Sequence, residues 1–211
     1  MIAPSSSDAA LLTLVQAIVA GDVDSPTKLL AVSPLLARSC FTIGATRQTA
    51  KAYYLDRIGR YIYAGDTALH IAAAAYRTDI VQKLLAAGAP VRARNRRGAE
   101  PLHAAAVGMP GSHTWNPRAQ AAIIACLIAA GADPNAGDQG GATPLHLAVR
   151  TRCAAAVWAL LESGADAKRK NNSGSTPLRL AKLNTGRGGT GSPEAKAQQQ
   201  EILRLLRQYE A

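Results

Sequence analysis

Three histidines stand at matching places in the chain. His70 lies in Thr67-Ala68-Leu69-His70-Ile71-Ala72, His103 in Glu100-Pro101-Leu102-His103-Ala104-Ala105, and His146 in Thr143-Pro144-Leu145-His146-Leu147-Ala148. Imidazole is the commonest metal ligand and titrates nearest neutrality, so a metal or general-base role is the first chemistry to weigh. The spacing argues against it. The anchor leucines 69, 102 and 145 and the Leu178 of Thr176-Pro177-Leu178-Arg179-Leu180-Ala181 stand 33, 43 and 33 residues apart. A fixed period puts each histidine on its own structural unit. Units stacked like neighbouring helices lie roughly 10 Å apart, whereas Zn–N bonds measure about 2 Å. Each ring is therefore expected to hydrogen-bond locally. His113 stands alone, with no evident partner.

Other chemical signals are equally thin. Gly186-Arg187-Gly188-Gly189-Thr190-Gly191 has the glycine spacing of a dinucleotide loop, but that pattern needs a preceding strand, and here a helical stretch precedes it. The loop also lacks a Gly-Lys-Ser/Thr ending; what remains is an anion held at the N-terminus of the following helix. The three cysteines, Cys40, Cys126 and Cys153, form no C-x-x-C pair. Cys126 and Cys153 sit in apolar helical contexts, as buried reduced thiols would. No Ser–His–Asp or Cys–His set presents itself. No catalytic residue, cofactor or metal ligand is assigned, and the chain is not expected to be an enzyme.

The elements that position these residues follow from the same recurring stretch. Thr143 is a good N-cap, because its hydroxyl can accept from a free N–H of the first turn. Pro144 suits the first helical position, where a missing N–H costs nothing. Apolar content is 48% while aromatics are 4%, and small side chains let helices stack closely. A period of this length marks a repeat architecture.

Before the first clear unit, Asp8–Ala20 has helical periodicity, with Asp8 as its cap. Ser25-Pro26 starts a second helix to about Val32. This pair reads as a degenerate terminal unit covering the apolar side of the next one. Leu11–Ala20 lacks the preceding positive charge of a signal peptide, and no apolar run approaches the length of a membrane span. About 22 residues are then extra within 38–64, by the repeat arithmetic. Gln48–Ile58 is expected to form a short helix, and Tyr61-Ile62-Tyr63 alternates like a strand. The segment interleaves Tyr53, Tyr54, Tyr61 and Tyr63 with Arg47, Lys51, Arg57 and Arg60. Such mixtures serve nucleic-acid or peptide surfaces; the plainer reading, favoured here, is rings that plug the solenoid side and charges left in solvent.

Thr67–Ala75 and Asp79–Ala87 then form a helix pair. Gly88 follows as a C′ glycine, and Arg96-Arg97-Gly98 makes the next turn. At Thr-Ala-Leu-His-Ile-Ala-Ala, Ile80-Val81-x-x-Leu84-Leu85-x-x-Gly88-Ala89, Gly131-Ala132-Asp133-Pro134-Asn135 and Gly164-Ala165-Asp166, the chain resembles the ankyrin repeat, and its wider arrangement is similar to uncharacterised bacterial ankyrin-repeat proteins. The resemblance implies an all-α solenoid with short β-hairpin fingers. Residues 1–64 would hold the capping helix pair and the aromatic, basic insertion. Residues 65–211 would hold four repeats, interrupted at about 108–118 and 184–192, in one continuous domain. Glu100 replaces Thr as a poorer cap, and Arg179 replaces the histidine. The terminal helix restarts at Ser192-Pro193-Glu194, with Ile202, Leu203, Leu205 and Leu206 inward. The 108–118 loop is expected to fold over the helical side, where its Trp115 would cover Trp158.

The resemblance also implies where a partner would bind: finger tips and the ends of the first helices. Carried onto this sequence, the candidate partner-binding residues are Tyr63, Arg94, Arg96, Arg97, Arg150, Arg152 and Lys170. The net charge is +10, and residues 88–187 carry 13 Arg and Lys against 5 Asp and Glu. Clustered positive charge selects acidic partners. The function expected is a non-catalytic interaction scaffold, monomeric and cytoplasmic, whose basic concave groove takes an acidic segment of another protein. The alternative is a nucleic-acid-associated protein using the Arg/Tyr surface. A deep pocket beneath residues 41–63 would favour a small-molecule site in the insertions.

Overall fold

The computed structural model describes residues 6–183 and 193–210. Its helices are α1 (Ser6–Ala20), α2 (Asp24–Val32), α3 (Ala68–Ala74), α4 (Thr78–Ala86), α5 (Pro101–Ala106), α6 (Pro117–Ala129), α7 (Pro144–Arg150), α8 (Ala154–Glu162), α9 (Pro177–Lys182) and α10 (Pro193–Glu210). They pair in sequence and stack in two rows. The inner row runs α1, α3, α5, α7, α9, and the outer row α2, α4, α6, α8, α10. One apolar core extends from Leu11 of α1 to Leu206 of α10, with Leu69, Leu102 and Leu145 fully buried in it. The whole 184–192 insertion, with its Gly186–Gly191 loop and Ser192, lies outside the described residues.

The recurring stretch is a helix start, and its histidine completes the cap. Thr67 and Thr143 accept from the N–H of His70 and His146, while the imidazole Nδ1 accepts back from the N–H of the threonine at 3.1 and 3.2 Å. In the second unit Glu100 N–H donates to His103 Nδ1 at 3.1 Å. Because each Nδ1 is an acceptor, the proton of the neutral ring resides on Nε2. That Nε2–H faces the next unit: it meets the carbonyl oxygen of Ala99, Ala142 and Ser175 at 3.1, 3.2 and 3.0 Å. The histidines are thus structural couplers, and their nitrogens are occupied.

The fingers stack as well. Asn95, Asp138 and Asn171 each turn a side-chain oxygen back to two N–H groups of their own turn. Arg96 N–H donates to Ala64 O, Gln139 N–H to Arg97 O, and Asn172 N–H to Gly140 O, so adjacent tips are joined by backbone bonds. Gly98 sits at φ 72°, and a Cβ there would stand 2.8 Å from Gln139 N. Only glycine suits both constraints.

The N-terminal part differs from expectation in detail. Helix α1 begins before Asp8, whose buried carboxylate accepts from the N–H and hydroxyl of Thr42 at 3.0 and 2.6 Å instead of capping. Residues 41–45 run beside 62–66 through Phe41 N–H to Asp66 O and Ala45 N–H to Ile62 O. The expected helix over 48–58 is not formed. Two 3-10 turns (Ala50–Tyr53 and Asp56–Ile58) flank β1 (Tyr54–Leu55), which pairs antiparallel with β2 (Arg60–Tyr61) around a left-handed Gly59. Glycine at that position ends a helical run. Of the rings in this segment Phe41 is buried in the core, joined there by Ile62, whereas Tyr54 and Tyr61 are exposed, their tilted rings 4.8 Å apart.

The second insertion also lies elsewhere than expected. Trp158 is 51% exposed. Trp115 instead donates Nε1–H to Gln120 Oε1 at 3.0 Å, and buried Gln120 Nε2 donates to Ala105 O at 2.9 Å. These bonds hold the 107–116 loop against the end of α5. Asn116 caps α6 by accepting from Ala119 N–H.

Burial is the main cause that lowers all three imidazole pKa values from 6.5, that of His103 to about 4. An unfolded histidine binds a proton near 6.5, so between 4 and 6.5 the unfolded chain holds more protons than the native one. Native stability is then fully present above about pH 6.5 and is lost as pH falls toward 4, His103 alone accounting for about 3 kcal/mol. Urea unfolding of wild type and His103→Ala at a series of pH values checks this. The substitution orphans Glu100 N–H and Ala142 O, so it should cost about 2–4 kcal/mol at pH 7 and flatten the slope between pH 6.5 and 4.5.

Candidate interaction surface

The first finger projects Tyr63 beside the exposed tip of the second. The guanidinium carbons of Arg96 and Arg97 each lie 5.3 Å from the Tyr63 ring centroid, and Arg97 Nη1 donates to the phenol oxygen at 3.1 Å. Arg96 also donates to the Ala45 carbonyl, which fastens it to the 41–45 segment. Beneath them, buried Asp66 accepts from Tyr63 N–H and from Asn95 Nδ2, both at 2.8 Å. One carboxylate therefore ties the first finger to the second. Three residues expected to bind a partner, Tyr63, Arg96 and Arg97, are brought into a single rigid cluster.

The remaining candidates separate. Arg94 Nε lies 3.2 Å from buried Glu100, and Arg92 reaches both Glu100 (3.9 Å) and Asp133 (3.6 Å). Burial raises the Glu100 pKa, and the two arginines oppose that shift. Arg94 is thus partly neutralised within the chain, although its side chain remains half exposed. The glutamate that looked like a poor cap serves as its counter-ion. Arg150 ends α7 at the surface, and Lys170 is exposed on the fourth finger. Between them the third tip, Gln139 and Gly140, carries no charge, and Lys168 and Arg169 are exposed beside Lys170, so exposed positive charge lies on both the second and the fourth finger.

Arg152 is a correction. It is only 3% exposed, and neither Nη atom has a hydrogen-bond partner. It lies at C′ of α7, with φ 59°. Its N–H bonds to Val149 O, and the following N–H bonds to Ala148 O, a turn that closes the helix end and faces the residue inward. Tyr76 occupies the equivalent place after α3, with φ 56° and the same two bonds. Outer helices α4, α6 and α8 instead end on Gly88, Gly131 and Gly164. The signal was present in the sequence: the seventh residue after Leu69 and Leu145 is not glycine.

Among the described residues no group of three His, Cys, Asp or Glu could hold a metal ion, and no helix is long and apolar enough to cross a membrane. Cys153 is buried, its thiol pKa pushed up to about 11, so it is a poor nucleophile.

Comparison with known families agrees with this geometry. The model of the ankyrin repeat matches residues 64–96, and a model of ankyrin repeats in many copies matches residues 127–181. The matches cover the first finger with α3 and α4, and the span from the end of α6 to α9. No curated protein matches the chain.

Arg152 combines left-handed strain with an unpaired buried charge, each of which costs stability. Arg152→Gly should stabilise the chain by about 1–3 kcal/mol. Thermal denaturation beside the wild type measures it, and a lowered midpoint would show that the aliphatic stem matters more.

Proposed function

We propose that this ankyrin-repeat protein is a non-catalytic scaffold that binds an acidic segment of another protein at the tips of its first two fingers. Ankyrin repeats generally mediate protein–protein interaction, and the family is generally non-catalytic. The observation that carries the finer reading is the Tyr63 ring with Arg96 and Arg97 stacked on it. Guanidiniums held on a ring lose less freedom on pairing with carboxylates, and their planar forks suit bidentate contacts. Arg150 and Lys170 extend the surface toward the fourth repeat. Arg94 contributes less because Glu100 opposes it, and Arg152 takes no part. In this reading residues 1–64 cap and brace the first finger, residues 65–211 continue as one solenoid, and the chain works as a monomer in the cytoplasm.

A fluorescein-labelled peptide of alternating Glu and Leu tests the proposal by anisotropy. Arg96→Glu with Arg97→Glu should weaken binding by about tenfold or more and reduce its salt dependence. Unchanged affinity would overturn the assignment. Random single-stranded DNA is the competing probe. Binding that survives this double substitution but is lost with Tyr54→Ala and Tyr61→Ala would replace the protein-binding reading with a nucleic-acid one.

A further inference from the structure

The two insertions face each other across the end of α3. The β1–β2 hairpin forms one wall and the 107–116 loop the other, and between them lies a cavity of about 640 Å³. Small-molecule sites span about 300–1,000 Å³. The floor is apolar, with Ile18 from α1, Ala75 after α3 and Val107 after α5; Tyr76 and Trp115 add aromatic surface. An uninterrupted helix–turn–helix repeat would carry neither wall.

Arg57, Arg60 and Arg77 line the cavity; among the described residues no carboxylate side chain lines it, although Asp66 and Asp79 stand behind Arg60 and Arg77. Arg77 uses four of its five N–H groups, two on Asp79 and one each on Ile18 O and Asp22 O. Arg57 and Arg60, on either side of Gly59, are less committed. Arg57 commits one Nη1–H to Ala20 O. Arg60 Nη2 lies 3.7 Å from Asp66, but its buried Nε has no partner. A buried N–H without an acceptor costs stability.

Tyr76 joins the floor to the loop wall; its left-handed backbone is the same C′ turn that Arg152 makes after α7. Its hydroxyl donates to Val107 O at 3.1 Å, which fixes the ring between floor and loop. A Cβ at Gly108 would stand 2.8 Å from that hydroxyl, 2.8 Å from Cys153 Sγ and 2.9 Å from Trp115 Nε1, so glycine alone lets the three groups meet.

We propose that this cavity binds a small organic acid: one carboxylate on Arg57 and Arg60, and a flat apolar body on the floor beside Tyr76 and Trp115. The site is separate from the finger tips and stands whether or not they bind protein.

The sequence has two tryptophans, so Trp158→Phe leaves Trp115 as the sole reporter in the full chain. Phenylacetate should change Trp115 emission saturably and raise the thermal midpoint. Phenylacetamide should bind about tenfold more weakly, and phenethylamine should not bind. Arg57→Gln with Arg60→Gln should erase the preference for acid over amide, whereas Arg57→Lys with Arg60→Lys should retain it. Ala75→Phe, which fills the floor, should abolish both signals. No response to millimolar phenylacetate, equal affinity for acid and amide, or undiminished acid binding in the glutamine variant would each overturn the proposal. Acidic-peptide binding at Arg96 and Arg97 should be unchanged in Ala75→Phe, which separates the two sites.

Discussion

One hydrogen bond, made three times, joins each unit to the next. The Nε2–H of His70, His103 and His146 meets the carbonyl before the following helix start. The same ring accepts from its own N-cap, so a single side chain fixes a helix start and the position of the next finger. The finger-tip bonds and glycine approaches follow from that spacing. Where no further finger follows among the described residues, the position is Arg179, exposed and without this bond. The coupling needs a neutral ring in one tautomer, which burial enforces by excluding the charged form.

Much of this order was legible because repetition reads the same finding several times. Leu69, Leu102 and Leu145 located the helix starts, and Gly88 and the turn glycines the ends. The failures fall where the chain departs from its period. Gln48–Ile58 carries helix-compatible residues, but Gly59 and pairing of Tyr54 with Tyr61 make a hairpin. Trp115 and Trp158 looked like partners because Trp158 stands at a solvent-facing helix position and Trp115 in the neighbouring repeat's loop. Gln120, buried between Trp115 and Ala105, decided the loop's direction instead, and no periodicity reports such a bridge. Arg152 was misplaced because charge alone suggests exposure; a left-handed C′ position turns it inward.

The same departures shape the surface. Positive charge clustered within residues 88–187 suggested a basic groove. Pairing with Glu100 partly neutralises Arg94, and burial removes Arg152 from the surface. The first insertion both supports the cluster around Tyr63, through Ala45, and forms one wall of the cavity. Regular repeats thus supply a rigid frame, and the irregular segments supply its chemically distinct places.

The central claim concerns the imidazoles, and nitrogen-15 NMR of the histidine rings tests it most directly. The account predicts that His70, His103 and His146 each show a neutral Nε2–H tautomer at pH 7, with an unprotonated Nδ1, and that His103 stays neutral until pH approaches about 4. An Nδ1–H tautomer at these rings, or titration of His103 near the ordinary 6.5 in the folded chain, would contradict it.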